Sequence, residues 1–207
     1  MMFSVIVPAH NSEQYIGKLL ESVKSQTFKD FELIVVCDNC SDCTGLAARG
    51  YADRIITTHY GRDGLARDAG LSEAQGDWIL FADDDDWFCD DSCFQQIADA
   101  INTNDTDIIA FGYICKGRGY VSPSRLTVFN PGDAHVWSNC WKRSAITGAK
   151  FGDAVFCSDT YFVRDVKIRT QRYVLLDQPL YYYNFKRPGS QTDKLIRGEI
   201  RQSPVAR

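Results

Sequence analysis

The sequence predicts an α/β fold in which a mostly parallel central sheet is flanked by helices. Three observations carry that prediction. Short apolar runs alternate with segments of helical periodicity through the first half of the chain. Several of those runs are continuously apolar, as strands covered on both faces require. Aspartates follow directly on such runs, at the strand ends where this architecture opens its ligand crevice.

Residues 3–8 (FSVIVP) are the first run, ended by proline. Asn11 then reads as a helix cap with Gln14 three residues on, and Tyr15, Ile16, Leu19, Leu20 and Val23 recur at helical spacing to about Ser25. Strands are expected at 31–36 (FELIVV), 54–58 (RIITT) and 77–82 (DWILFA), with a helix in LARDAGLSEA between the last two. A helix at 91–102 and a strand at 107–113 follow. Gly117, Gly119, Pro123 and Pro131 mark a loop-rich stretch. Beyond it the pattern predicts helices near 138–147 and 159–168 and strands at 172–176 and 180–185.

Composition narrows the class. With 207 residues, 44% hydrophobic and 24% charged, the chain suits one folded domain rather than a disordered or disulfide-scaffold protein. A net charge of -4 gives no general attraction to nucleic acid. No run approaches the ~18 apolar residues of a membrane span, and the start MMFSVIVPAHNS lacks a signal peptide's basic region and cleavage site. The expectation is a cytoplasmic protein whose eight cysteines are reduced. Cys37, Cys40 and Cys43 form an odd-numbered C-x2-C-x2-C run without the paired spacing of a zinc site, so they read as small, half-buried side chains.

The chemistry concentrates at the acidic run. Asp83, Asp84, Asp85 and Asp86 follow the apolar run WILFA, and their mutual repulsion calls for a cation. Residues i and i+2 of an extended segment point the same way, so Asp83 and Asp85 converge while Asp86 turns into the next loop. Such hard oxygen donors suit Mn2+ or Mg2+ completed by substrate phosphates. Asp38, ending the second strand run, serves either as a helix cap or as an acceptor facing the crevice. Arg67 serves equally as a phosphate clamp or as the partner of Asp63 or Asp68. His10, His59 and His135 rank as structural hydrogen-bonding groups, and of Tyr181, Tyr182 and Tyr183 strand alternation makes at least one plain core.

In order along the chain, SVIVPAHNSEQYIGKLLESVKSQTFKDFELIVVCD, the Ala66–Gly70 element, GDWILFADDDDW, WSNCWKR, CSDTYFVRDV and PLYYYNFKRPGSQT resemble the motifs of family 2 glycosyltransferases, inverting enzymes of the GT-A fold. The resemblance covers about residues 3–192 and implies one domain. A nucleotide-binding half falls at 1–113 and an acceptor-binding half at 114–192, followed by a polar tail at 193–207. By position it implies that Pro8, His10 and Asp38 line the nucleotide pocket and that Arg67 and Asp84 approach the nucleotide sugar. Asp83 and Asp85 would bridge ribose and metal-bound diphosphate, with Asp86 in the same metal shell. Asp159 would be the general base, with Ser158 as its helix cap and the helix dipole keeping it ionised. Arg187 and Ser190 would close over the diphosphate, while Trp137 and Tyr182 would meet a carbohydrate or glycolipid acceptor. Asp38 is expected to select a uridine donor through the ring N–H of uracil. The tail cations Lys194, Arg197, Arg201 and Arg207 offer a peripheral membrane contact. The chain departs from the pattern at Cys37, where an Asp is frequent, Asp68 (Asn), Asn139 (Lys) and Ser158 (Glu). The alternative reading is a glycosyltransferase-like module that binds nucleotide sugars with little turnover.

Overall fold

The computed structural model describes residues 1–123, 135–154 and 158–199. Strands β1 (Phe3–Ala9), β2 (Phe31–Asp38), β3 (Arg54–Thr58) and β4 (Trp78–Phe81) lie parallel in the order β3-β2-β1-β4. The sheet continues through β8 (Asn139–Lys142), β6 (Ile108–Cys115), β9 (Tyr173–Tyr183) and β5 (Trp87–Phe88), while β7 (Gly119–Val121) folds back on β6. Helices α1 (Ile16–Lys24), α2 (Thr44–Ala48), α3 (Asp63–Glu73), α4 (Cys93–Thr103), α5 (Ser158–Arg169) and α6 (Gln191–Ile196) complete the chain.

Strand alternation divides the core into two layers. Val5, Val7 and Ala9 of β1 pack on one side with Leu19, Leu20 and Val23 of α1 and Phe94 and Ile97 of α4. Ile6 turns to the other side, with Ala66 of α3 and Phe162, Val163 and Val166 of α5. Gly70 lets α3 lie against the sheet, because a Cβ there would come 2.4 Å from Ile6 Cγ2.

Several expectations are corrected. Asn11 does not cap α1: it sits at φ 48, and its Oδ1 accepts the Ser41 N–H at 2.8 Å across the loop. The helix instead begins with Tyr15 and Ile16 donating to the Ser12 carbonyl. The helix expected at 138–147 is a 3-10 turn at Val136–Ser138 followed by β8. That strand fills the gap between β4 and β6, burying Cys140 on one face and Trp141 on the other. Two open ladders and two core layers override the local helical preference. The strands expected at 172–176 and 180–185 are one strand, β9, whose register against β6 shifts around Gly112, opposite Pro179. The expected loop after 113 begins later, because β6 runs to Cys115 and turns through Gly117 (φ 74) into β7. The polar tail starts as α6, capped by the Ser190 hydroxyl accepting the Asp193 N–H. Pro131, Cys157, Arg201 and Arg207 lie outside the described residues. The seven cysteines among the described residues are free thiols. Among these residues no helix is long and apolar enough to cross a membrane.

Candidate active site

The crevice opens where the sheet changes direction, between β1 and β4. The β1–β4 ladder reaches Ile6, whose carbonyl accepts the Ala82 N–H. Pro8 has no N–H to continue it, so the two strands part beyond that point. His10 bridges the opening: its N–H donates to Asp84 Oδ2 at 3.1 Å, and its Nδ1 lies 2.7 Å from the Asp38 carbonyl.

Asp38 is buried and anchors the loop after β3. Its Oδ1 accepts the Thr58 hydroxyl at 2.9 Å and the Tyr60 N–H at 2.6 Å, and its Oδ2 accepts the Arg62 N–H at 3.1 Å. A carboxylate has about four acceptor positions. Three are spent on the loop and one is left on Oδ2.

The four aspartates do not share one environment. Asp83 Oδ1 is 2.7 Å from Arg67 Nη2, and its N–H donates to the Tyr181 hydroxyl. Asp85 Oδ2 is 2.5 Å from Arg187 Nε, and the Arg187 guanidinium lies 4.3 Å from the centre of the Tyr15 ring. Asp86 is fully buried; its Oδ1 accepts the Asn184 N–H at 2.8 Å and its Oδ2 has no hydrogen-bond partner. Burial pushes Asp84 up to about 7, with Asp85 adding repulsion. Burial also raises Asp85, against the pull of Arg187, and raises Asp86 well above the ordinary carboxylate range. Among the described residues no three His, Cys, Asp or Glu side chains come together as a ready-made ligand set. Asp86 Oδ1 is thus turned to the backbone at Asn184.

Arg67 does not stand free as a phosphate clamp. It is buried in α3 and paired with Asp63 at 2.6 Å, Asp83 at 2.7 Å and Asp159 at 3.4 Å. Burial opposes its charge, but Asp159, Asp83 and Asp63 outweigh this and hold its pKa above the usual value. Asp159, in the first turn of α5, also accepts the Val136 N–H at 3.2 Å. Burial lifts it to about 6 despite Arg67, so the helix terminus alone does not set its charge. Ser158 does not act as the expected cap. It is the first residue of α5, and its hydroxyl donates to Asp63 Oδ2 at 3.0 Å. Sequence reasoning named Asp63 only as a surface partner of Arg67, since the i, i+4 spacing says nothing of Ser158 arriving from the far half of the chain.

Of the two aromatic residues expected at the acceptor, Trp137 is enclosed and Tyr182 has one ring face covered. Trp137 is 2% exposed, its ring stacked between His135 (4.5 Å) and Tyr181 (4.9 Å). Tyr182 points to the opposite side of β9 and stacks on Trp87 at 4.1 Å, with Lys18 Nζ 3.1 Å from that indole's centre. Strand alternation instead puts Tyr183 on the Trp137 side, 5.0 Å from its ring. Ser190 is spent on capping α6, and Arg197 on Asp193.

The model of the family described as Glycosyl transferase family 2 matches residues 4–170. An uncharacterized glycosyltransferase of Bacillus subtilis, EpsJ, is 30% identical over 93% of the chain, which spans 63% of EpsJ. The poly(ribitol-phosphate) beta-N-acetylglucosaminyltransferase TarS of Staphylococcus aureus is 29% identical over 91% of the chain, which spans 36% of TarS. A crystal structure of TarS residues 1–349 with UDP-GlcNAc superposes with a TM-score of 0.82 at 26% identity, covering 93% of this chain and 61% of that one.

Proposed function

This chain belongs to glycosyl transferase family 2 and has the family's GT-A type fold, and on that premise we propose that it moves a sugar from a uridine diphosphate sugar to a carbohydrate hydroxyl with inversion, Asp159 serving as general base. One observation carries the reading. The buried guanidinium of Arg67 gathers Asp83 from the end of β4 and Asp159 from the start of α5, so the donor carboxylates and the candidate base share one cleft.

An acceptor hydroxyl becomes a nucleophile as it loses its proton, and a carboxylate with a pKa of about 6 is ionised at neutral pH yet basic enough to take that proton. Attack from the Asp159 side, opposite the leaving diphosphate, inverts the anomeric carbon. His10 and Asp38 hold the two sides of the nucleotide crevice together, and the remaining acceptor position on Asp38 Oδ2 suits one ring N–H of uracil. The UDP-GlcNAc held by the TarS structure supports a uridine donor.

The residues fit a divalent cation. The donors are all hard oxygens, Mg2+ in particular is commonly held by one or two carboxylates plus substrate phosphates, and Asp83 and Asp85 would be those two. When bound, Mn2+ or Mg2+ there would neutralise charge on the diphosphate leaving group. Arg187 balances Asp85 and would meet the diphosphate.

The test is a thermal-shift panel of nucleoside diphosphates and nucleotide sugars with and without Mn2+, followed by a donor-hydrolysis assay on the ligand that stabilises most. A UDP compound should shift the midpoint most, and more with the metal. Greatest stabilisation by a cytidine compound would overturn the uridine assignment, and binding without measurable turnover would favour the binding-module reading.

A further inference from the structure

Arg67 Nη1 faces three acceptors at unequal distances: Asp63 Oδ2 at 2.6 Å, Ser158 Oγ at 3.3 Å and Asp159 Oδ1 at 3.4 Å. Its Nη2 is committed to Asp83. A charge-assisted N–H···O bond is made at about 2.7–2.9 Å and fades beyond about 3.2 Å. Nη1 carries two N–H groups: one makes the short bond to Asp63, the longer contact is with Ser158 Oγ, and Asp159 has the guanidinium beside it as a charge without a hydrogen bond to it. Asp159 Oδ2 is already occupied by the Val136 N–H, so Oδ1 is the oxygen left to receive a proton.

Asp63 is itself fixed by the Ser158 hydroxyl at 3.0 Å. That contact needs the starts of α3 and α5 to touch, and Gly64 permits it. A Cβ at 64 would lie 2.6 Å from the Gly152 carbonyl oxygen and 2.9 Å from Ser158 Cβ. The motif that this region resembles carries a carboxylate at position 158, where this chain has only a hydroxyl. Asp63 brings a carboxylate to the same spot from the opposite helix.

Resting on the assignment of Asp159 as base, we propose that Asp63, held by Ser158, is a positioning residue that keeps Arg67 off the base. Without the Asp63 carboxylate, Nη1 swings to Asp159 and closes a full ion pair. The base oxygen is then occupied and the charge that drives proton abstraction is spent. Donor binding changes little, because Nη2 keeps its bond to Asp83.

The experiment compares Asp63→Asn, Asp63→Ala, Ser158→Glu and the double variant Asp63→Ala/Ser158→Glu, with Asp159→Asn as the control. The readouts are donor-hydrolysis kcat, UDP affinity and a crystal structure of Asp63→Asn. The expected result is at least a tenfold fall in kcat for Asp63→Asn and Asp63→Ala, UDP affinity within twofold of the parent, and recovery of most of the loss in the double variant. In the Asp63→Asn crystal the Nη1–Asp159 distance should fall below about 3.0 Å. Parental kcat in Asp63→Asn, a double variant no better than Asp63→Ala, or an unchanged Nη1–Asp159 distance would each overturn the proposal. Should the Asp63 variants fail to fold, Ser158→Ala, which only loosens Asp63, is expected to lower kcat in the same sense, and parental kcat there overturns the proposal too. If Asp159→Asn keeps parental turnover, it is the base assignment that fails, and the crystal distance still decides what Asp63 does to Arg67.

Discussion

Two clusters of aspartate and arginine stand at opposite ends of the sheet and behave in opposite ways. Before β6 and β9, Arg172 pairs with Asp105 at 2.9 Å and Asp107 at 2.5 Å, and Thr170 donates a further bond to Asp107. Arg172 holds Asp107 below the ordinary carboxylate range, against partial burial. At the carboxyl ends of β1 and β4 stand Asp63, Asp83, Asp84, Asp85, Asp86 and Asp159; among the described residues Arg67 pairs with Asp63, Asp83 and Asp159, and Arg187 with Asp85. There burial raises Asp84, Asp85, Asp86 and Asp159. The first cluster is balanced by its own chain and fastens strands; the second has more carboxylates than guanidiniums, an imbalance that the proposed cation would offset. Concavity does not separate them, since a cavity of about 330 Å³ opens beside the balanced cluster, lined by Asp107, Lys142, Arg169 and Arg172 among others.

The contrast breaks most visibly at Asp159. Asp159→Asn should cut turnover by ~10²-fold or more with donor affinity near the parent's, and the parent's activity should rise from the acid side with a midpoint near pH 6. A profile flat from pH 5 to 8 would remove Asp159 from the chemistry. Next in size, Asp85→Asn should weaken Mn2+-dependent UDP binding by about tenfold or more in calorimetry, while the melting point holds or rises because repulsion is relieved. A parental metal-dependent affinity would move the cation elsewhere.

The pH dependence of stability sharpens the comparison. Asp84 and Asp159 bind protons more tightly folded than unfolded, so their stabilisation is complete below the unfolded value near 3.8 and is lost as pH rises toward about 7. Asp107 has the reverse sign: its contribution is present above its unfolded value and lost as pH falls through its lowered folded value. Melting curves of Asp84→Asn should therefore flatten on the neutral side, and those of Asp107→Asn on the acid side. Exchange of the two effects would show that the clusters had been assigned the wrong roles. The smallest change is expected from Arg172→Ala, a modest loss of melting temperature with UDP binding unaltered, because that arginine is solvent-screened.

Legibility followed the range of the forces. β1, β2 and β4 were readable because a strand buried on both faces must be continuously apolar, and the acidic run was readable because four adjacent carboxylates need a reason. β8 was misread because its conformation is imposed by β4 and β6 on either side, and nothing within NCWK states that. Trp137 and Tyr182 were recognisable as aromatic, but which faces stay open depends on Tyr181, His135 and Trp87.

The sequence by itself determined the alternation of strand and helix, the placing of charge at the strand ends, and the identities of Asp38, Asp83 and Asp85 as candidates, because periodicity and local spacing are properties of neighbours in the chain; Asp159 entered only through the family resemblance. Tertiary structure alone decided how those charges are shared. Arg67 meets Asp63 within its own helix, Asp83 from the next strand and Asp159 from the far half of the chain, and a 2.6 Å contact outweighs one at 3.4 Å only once packing has fixed all of them around one guanidinium. Such a ranking depends on distance and burial in three dimensions, which a linear pattern does not carry.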